Sequence, residues 1–264
     1  MELNKIYCMD NLELLIQMED NSVDLIYCDI LYNTGKKFKD YDDRLGTPQQ
    51  AVEWYRPRLI EMKRVLKNTG TIVLQCDYRL VHYLKVEMDN IFDIFINEII
   101  WEYPKGIKNS TRKEINNHDT LLVYAINNNY THNIIEEPYT KEQLKRFKHE
   151  DEYGKFYYDT RRDKDGNKKK VKVYLKKTGV PLGDVWYFNF AQGKERVGYD
   201  TQKPKLLLER IIKISSNEGD VVADFFCGSG TSLVVAKELG RQYIGCDINP
   251  RAIEITNERL ENLG

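Results

Sequence analysis

Short apolar runs alternate with amphipathic segments along most of this sequence. The runs "VDLIYC", "GTIVLQC", "DVVADFF" and "RQYIGCD" have the length and composition of buried strands, and a segment with helical spacing of apolar residues follows each of them. Strands that are apolar along their whole length, separated by helices, are typical of a parallel sheet covered by helices on both faces. The sequence therefore predicts a doubly wound, mostly parallel α/β fold.

The composition is that of a globular domain without marked charge. The 264 residues are 41% hydrophobic and 31% charged with a net charge of −1, so a nucleic-acid partner would need a local basic patch. The first residues lack the basic and apolar regions of a signal peptide, and no apolar run reaches ~18 residues. Five scattered cysteines form no Cys-x-x-Cys pair, which favours reduced thiols. We therefore expect a cytoplasmic protein without a membrane segment.

Residues 128–195 interrupt the alternation of strands and helices. This segment is rich in Asn, Tyr and Lys, and from Lys141 to Lys177 it holds fourteen basic residues against seven acidic ones. Aromatic residues stand among the charges, as in "EYGKFYY", and this pattern suits nucleic-acid binding. On composition alone, a solvated, lysine-rich hairpin with "DKDGNKKK" as its turn is the simpler interpretation.

A glycine-rich turn joins a predicted strand to a predicted helix in "DFFCGSGTS". Gly228 and Gly230 allow a tight turn and a close approach of ligand to backbone, and the amides at the helix start favour a polar or anionic group. The next strand ends at Asp247, where a carboxylate can accept hydrogen bonds from both hydroxyls of a ribose. The sequence therefore predicts a site for an adenosine-containing cofactor.

The spacing around this turn narrows the choice of cofactor. Leu233 stands where the NAD fingerprint has its third glycine, and no Gly-Lys-Ser/Thr of a phosphate-binding loop follows. The remaining common adenosine cofactor is S-adenosylmethionine.

Two stretches together resemble a known family. "DFFCGSGTS" looks like motif I of DNA amino-methyltransferases, and "DILYNTG" looks like their Asp-Pro-Pro-Tyr motif IV. The segments "NEIIWEY", "HDTLLVY" and "ERVGYDTQKPKLLLERII" are similar to further parts of the family. The catalytic motif precedes the cofactor motif and the basic segment lies between them, as in the β group of these enzymes.

The resemblance implies a Rossmann-like methyltransferase sheet with an inserted target-recognition segment. Residues 1–127 would form the catalytic half, residues 128–195 the insertion, and residues 196–264 the cofactor-binding half. The insertion becomes the candidate for contact with double-stranded DNA, and a homodimer and a cognate restriction enzyme stay open as further partners. We expect four side chains to meet phosphates and not bases: Lys168, Lys169, Lys170 and Lys172.

The resemblance also implies roles for single residues. Asp29 and Tyr32 match the catalytic acid and the aromatic that stacks on a flipped-out base, and Ile30 would supply its backbone carbonyl. The family transfers a methyl group from S-adenosylmethionine, and no metal is needed. The residues that match its cofactor contacts are Asp10, Asp29, Thr201, Gln202, Lys203, Asp224, Phe226, Gly228, Ser229, Gly230, Thr231 and Asp247. Without the resemblance, Asp10 is equally well explained as the cap of a helix at "NLELL".

One departure from the family concerns Ile30 and Leu31, which stand where the family has two prolines. Prolines stiffen this loop, but their side chains are not the chemical groups, so we interpret the change as a tolerated variant. The leading hypothesis is a DNA adenine-N6 methyltransferase, because the cytosine-N4 enzymes of this group more often carry Ser in place of Asp29. Cytosine N4 is the main alternative. A non-catalytic module that binds DNA and cofactor, and an RNA methyltransferase, are the others.

Overall fold

The computed structural model describes residues 1–37, 41–106, 112 and 114–263. The chain divides into two compact units, the first of which combines Met1–Asn133 with Asp184–Gly264. The second unit is Ile134–Gly183. It lies within the predicted insertion 128–195 and is shorter than that segment at both ends.

Strands and helices follow the predicted order in the first unit. The helices are α1 Asn11–Gln17, α2 Pro48–Val65, α3 Val81–Ile91, α4 Lys141–Leu144, α5 Lys205–Ser215, α6 Thr231–Glu238 and α7 Pro250–Glu261, with a 3-10 turn at Gly193–Glu195. The strands are β1 Lys5–Cys8, β2 Val23–Asp29, β3 Leu66–Cys76, β4 Ile94–Glu102, β5 His118–Ala125, β6 Glu136–Glu137, β7 His149–Asp151, β8 Gly154–Arg162, β9 Lys168–Tyr174, β10 Val180–Pro181, β11 Val185–Tyr187, β12 Val221–Asp224 and β13 Gln242–Asp247.

The first unit is built on one eight-stranded sheet with the strand order β1-β13-β12-β2-β3-β5-β4-β11. All neighbouring strands pair in parallel except at β5, which is antiparallel to both β3 and β4. The predicted mostly parallel sheet is therefore confirmed. β4 and β5 are consecutive along the chain, and the described residues between them include no crossover helix, which is consistent with their antiparallel pairing.

Helices cover both faces of this sheet, as the doubly wound class requires. Along β2, Ile26 and Cys28 belong to a core cluster with the buried residues of α1, α2 and α3. Leu25 and Tyr27 belong to a second cluster with the buried residues of α5, α6 and α7. Because successive side chains of a strand point to opposite faces, a strand buried on both sides must be apolar throughout, which explains the run "VDLIYC".

The sheet has its topological switch point between β2 and β12. From β2 the chain moves through α2 to β3 on one side, and from β12 it moves through α6 to β13 on the other. The two crossovers leave a crevice beyond the carboxyl ends of these strands, where open α/β sheets bind ligands. Asp29 ends β2 and Asp224 ends β12.

The second unit contains a three-stranded antiparallel sheet, β7-β8-β9, and the short pair β6 and β10. The turn between β8 and β9 falls in "DKDGN", where Asp163 Oδ1 accepts hydrogen bonds from the amides of Asp165 and Asn167. Gly166 has a φ of +83° in this turn. The lysine-rich segment is thus a hairpin, with the turn where the sequence predicts it.

In the described ranges, no helix is both long and apolar enough to span a bilayer. The five cysteines are unpaired thiols, and all but Cys8 are buried.

Candidate active site

A cavity of about 610 Å³ lies at the switch point of the first unit. This volume is within the range of ~300–1,000 Å³ that is usual for small-molecule sites. Every predicted catalytic and cofactor residue lines it except Gly230, and the lining set is Asp10, Asp29, Ile30, Tyr32, Thr201, Gln202, Lys203, Asp224, Phe226, Gly228, Ser229, Thr231 and Asp247. The fold therefore brings together residues that are more than two hundred positions apart in sequence.

The glycine-rich turn follows β12 and is held from inside by Asp224. The buried carboxylate of Asp224 accepts hydrogen bonds from the Phe226 amide at 3.0 Å and from the Ser232 hydroxyl. Burial raises the pKa of the Asp224 carboxyl to about 7, although both hydrogen bonds act to lower it. Asp224 therefore stabilises the conformation of the glycine-rich turn through these two hydrogen bonds.

Gly230 contributes to the glycine-rich turn through its backbone conformation. It caps α6 with a φ of +70°, and a Cβ atom there would lie 2.0 Å from Cγ2 of Thr256. Thr256 and Arg259 of α7 support the turn from behind, because they donate hydrogen bonds to the carbonyls of Gly228 and Ser229. Neither supporting residue stands out in the sequence as a site residue.

Asp247 ends β13 and contacts the glycine-rich turn directly. Its Oδ2 accepts from the Gly228 amide at 2.9 Å, and its Oδ1 accepts from the Asn249 amide at 2.9 Å. Burial raises the pKa of Asp247, and these backbone hydrogen bonds oppose the shift. Each carboxylate oxygen can accept a second hydrogen bond, so capacity for a ribose remains. Ile248, which is 71% exposed, adds an apolar surface to the lining that sequence reasoning missed.

Asp10 has the helix-capping role that the sequence also suggested. Its Oδ1 accepts from the Leu12 amide at 2.8 Å, and its Oδ2 pairs with the buried guanidinium of Arg58 at 2.9 Å. Arg58 also donates to Asn11 and lies over the Trp54 ring, with its central carbon 3.4 Å from the ring centroid. Capping and cavity lining coexist at Asp10, so the cap does not remove the carboxylate from the site.

The segment before α5 carries three predicted cofactor residues, Thr201, Gln202 and Lys203, and their side chains have different surroundings. Gln202 is buried and bonds to its own segment, because it donates to the carbonyl of Glu195 at 2.8 Å and accepts from the amide of Val197 at 2.9 Å. Thr201 has a φ of +67°, which is unusual for a residue with a side chain. Lys203 reaches across the cavity, and its Nζ forms an ion pair with Oδ2 of Asp29.

Asp29 is surrounded by groups that act on its charge in opposite directions. Burial raises the pKa of Asp29, whereas Lys203 and a hydrogen bond from Tyr32 lower it. Tyr32 Oη lies 2.7 Å from Oδ1 of Asp29 and 2.8 Å from Oδ2 of Asp119. Asp119 is a buried acid of β5 that the sequence patterns did not single out.

The loop after β2 is fastened without prolines. The Ile30 amide donates to the Gln75 carbonyl at 3.3 Å, and the Leu31 carbonyl accepts from the Tyr55 hydroxyl at 2.9 Å. The buried carboxylate of Asp43 then accepts hydrogen bonds from the amide of Asn33 at 3.1 Å and from the amide of Thr34 at 2.7 Å. These contacts restrict the loop in the way that the missing proline rings would.

The four lysines predicted to contact DNA lie in the second unit, on β9. Strand alternation places Lys168, Lys170 and Lys172 on one face of the hairpin and Lys169 on the other. Lys172 forms an ion pair within the second unit, where its Nζ lies 2.6 Å from Oδ2 of Asp151. The four lysines therefore do not form a single patch.

The described residues contain no cluster of His, Cys, Asp and Glu that could hold a metal ion. The groups that line the cavity include carboxylates, backbone amides and apolar surfaces. They fit a ligand with ribose hydroxyls, an apolar ring and a charged amino-acid part, which is the composition of S-adenosylmethionine.

The fold and the cavity are those of a Rossmann-like α/β protein with a candidate site for an adenosine cofactor at its switch point. The sequence profile of the family described as DNA methylase (N6_N4_Mtase) matches residues 23–258. The chain belongs to this DNA methylase family, whose members use S-adenosylmethionine.

Individual relatives agree with the family. The type II methyltransferase M.HpaI of Haemophilus parainfluenzae is 32% identical over 98% of this chain and 74% of its own length. The DNA adenine methyltransferase YhdJ of Escherichia coli is 29% identical over 96% of this chain and 81% of its own length. The crystal structure of the M1.HpyAVI–SAM complex shares the fold, with a TM-score of 0.62 at 20% identity, over 97% of this chain and 98% of that one.

Proposed function

We propose that this DNA methylase transfers the methyl group of S-adenosylmethionine to N6 of an adenine that is flipped out of duplex DNA. The observation that carries the proposal is that one cavity is lined both by Asp29 and Tyr32 and by the glycine-rich turn with Asp247. The carboxylate of Asp29 and the name of the E. coli relative both support adenine as the target. Methylation of cytosine N4 is the alternative.

Asp29 and the Ile30 carbonyl would activate the target nitrogen. The lone pair of an exocyclic amine is delocalised into the base, so the amine is a poor nucleophile. Two acceptors, one on each N–H, favour a tetrahedral nitrogen whose lone pair points outward. The bound cofactor supplies an electrophilic methyl sulfonium. The negative charge of Asp29 stabilises the positive charge that develops on the nitrogen.

Lys203 has a role before the base arrives. Burial favours the neutral form of Asp29, and the ammonium of Lys203 opposes this effect. Lys203 thus favours the ionised form of the acid while the pocket contains no base. The amine of the base takes over a contact with the carboxylate as it enters.

Tyr32 would hold the flipped base through its ring. A base inside a duplex cannot reach the cavity, so it has to be extruded at a cost of a few kcal/mol. Stacking on an aromatic ring returns roughly 1–3 kcal/mol of this cost. The hydroxyl of Tyr32 is bonded inside the protein, and this contact fixes the ring that meets the base.

The second unit would contact the DNA backbone through one face of its hairpin. Lys168, Lys170 and Arg162 share that face, and none of the three forms an ion pair with another residue that the structure describes. On the opposite face, Arg161 pairs with Asp159 at 3.2 Å. The first face therefore has more free positive charge to offer to phosphates.

Single-molecule sequencing of DNA from a host that expresses the chain tests the proposal. We expect N6-methyladenine in one short sequence motif, and an Asp29→Asn variant expressed at the same level should leave that motif unmodified. N4-methylcytosine in the motif would establish the alternative base. Unmodified DNA, together with intact cofactor binding by calorimetry, would leave a binding module as the function.

A further inference from the structure

The hydroxyl of Tyr32 lies between two acids behind the active site. Tyr32 Oη lies 2.7 Å from a carboxyl oxygen of Asp29 and 2.8 Å from one of Asp119. Asp29 ends β2, and Asp119 lies on β5, two strands away in the sheet. The phenol is therefore held from two strands at once.

Asp119 is itself fixed by hydrogen bonds in the sheet. Its Oδ2 accepts from the Tyr32 hydroxyl at 2.8 Å and from the Gln75 amide nitrogen at 2.9 Å, and the residue is only 5% exposed. The hydroxyl of Tyr103 donates to Oδ1 of Asp119 at 3.2 Å. These residues connect the neighbouring strands β2, β3 and β5, so the network belongs to the rigid part of the sheet.

We propose that Asp119 is a positioning residue for methyl transfer, which binds the Tyr32 hydroxyl from β5 and so holds the stacking ring against Asp29. Asp119 does not line the cavity, and it acts only through Tyr32. The contact fixes the plane of the stacking ring and the orientation of the catalytic carboxylate together. This inference rests on the proposed roles of Asp29 and Tyr32.

Two substitutions at position 119 test the contact with Tyr32. Asp119→Asn keeps an oxygen that can accept from Tyr32 and Gln75, and we expect its single-turnover methyl-transfer rate to stay within a few-fold of the wild type. Asp119→Leu has similar volume and no acceptor, and we expect a loss of about tenfold to a hundredfold. Tyr32→Phe should show a comparable loss, and combining it with Asp119→Leu should add little. Cofactor affinity should change in none of them.

Tyr124→Phe is the matched control on the same strand. It also removes a buried hydroxyl from an aspartate, since Tyr124 Oη lies 2.6 Å from Asp89, but it does so away from the cavity. We expect a lower unfolding temperature and an unchanged rate. A loss of rate in this control equal to that of Asp119→Leu would overturn the inference, because it would show a general effect of stability.

Rescue by the conservative variant separates positioning of Tyr32 from a general effect on stability. An Asp119→Asn rate as low as that of Asp119→Leu would overturn the inference, because it would show that an acceptor for Tyr32 is not what this position supplies. A wild-type chain that methylates no DNA would instead contradict the proposed function, whereas an active wild type with unaffected variants at position 119 would contradict this inference alone.

Discussion

The ammonium of Lys203 forms an ion pair with the carboxylate of Asp29, across 174 residues of sequence and between the two halves of the first unit. The pair is largely buried, with side-chain exposures of 11% for Lys203 and 19% for Asp29. Burial penalises the charge on the acid, and the lysine is the strongest of the opposing influences on its pKa. Lys203, in the segment before α5, therefore favours the ionised form of the acid that lines the same cavity.

Replacing Lys203 with Met should shift the acidic limb of the pH–rate profile. The substitution removes the main influence that lowers the pKa of Asp29, so this pKa should rise. Because Asp29 acts in its ionised form, activity should fail at a higher pH than in the wild type. Methyl transfer measured under single-turnover conditions across the acidic range reports the change.

Lys205→Met is the control for that experiment. Lys205 lies two residues further along the chain and pairs with Glu238 at 2.6 Å, outside the cavity. Its profile should match the wild type. An acidic limb that stays in place in Lys203→Met would show that Lys203 does not tune Asp29.

Asp29→Ala should abolish most of the methyl transfer and largely preserve cofactor binding. Loss of a preorganised group that stabilises developing charge typically lowers a rate by ~10²–10³. Asp29 lines the cavity but is bonded to Tyr32 and Lys203 and not to the glycine-rich turn, so the affinity for S-adenosylmethionine should fall far less than the rate. Single-turnover rates and calorimetry on the same preparation separate the two effects. Near-normal transfer by this variant would refute the assignment of Asp29 as the catalytic acid.

The sequence predicted much of this candidate site because three of its acids are the last residues of apolar strands. Asp29 and Asp247 end strands whose order follows from the α/β alternation, so their meeting at one sheet edge could be expected. The partnership of Tyr32 with Asp119 could not, since it depends on β5 lying next to β3 in the antiparallel direction. Alternation of strands and helices does not specify that direction.

The basic hairpin shows a different limit of sequence reasoning. Composition identified a run of lysines but could not divide it between two faces, because the division depends on where the strand begins. The turn at Gly166 fixes that register and puts Lys169 on the face opposite Lys168 and Lys170.

Asp224→Asn should change how stability depends on pH. The pKa of Asp224 is about 7 in the folded protein, against 3.8 for an unperturbed group. The folded state therefore binds more protons than the unfolded one between these values, and this group's contribution to the free energy of unfolding falls as pH rises from about 4 to about 7. The variant carries a neutral group at every pH, so its stability should fall less over this range. Urea unfolding at several pH values measures the difference, and equal pH slopes would contradict it.

Neutralising one face of the hairpin should weaken DNA binding more than neutralising the other. Lys168→Gln with Lys170→Gln removes two positive charges from the face that we propose meets phosphates. Arg161→Gln with Lys169→Gln removes two from the opposite face. The first pair should lower the salt slope of DNA binding by about 0.9 per lost phosphate contact and leave the methylated motif unchanged. Equal effects of the two pairs would refute a preferred face, and a changed motif would show that these lysines read bases.

In this chain, Asp43 should stiffen the loop after β2 in the way that two prolines do in the family. Its carboxylate accepts hydrogen bonds from the amides of Asn33 and Thr34, and it is only 2% exposed. Asp43→Ala leaves these donors without their acceptor, so the loop that carries Tyr32 should loosen and the single-turnover rate should fall about tenfold or more. Asp93→Ala is the control, because Asp93 is an exposed acid outside the cavity that pairs with Lys63 at 2.8 Å. Since Asp43 is bonded to the loop and not to the glycine-rich turn, its variant should lose far less cofactor affinity than rate. If Asp43→Ala transfers methyl groups as fast as Asp93→Ala, the loop does not depend on this anchor, and the tolerance of Ile30 and Leu31 must have another cause.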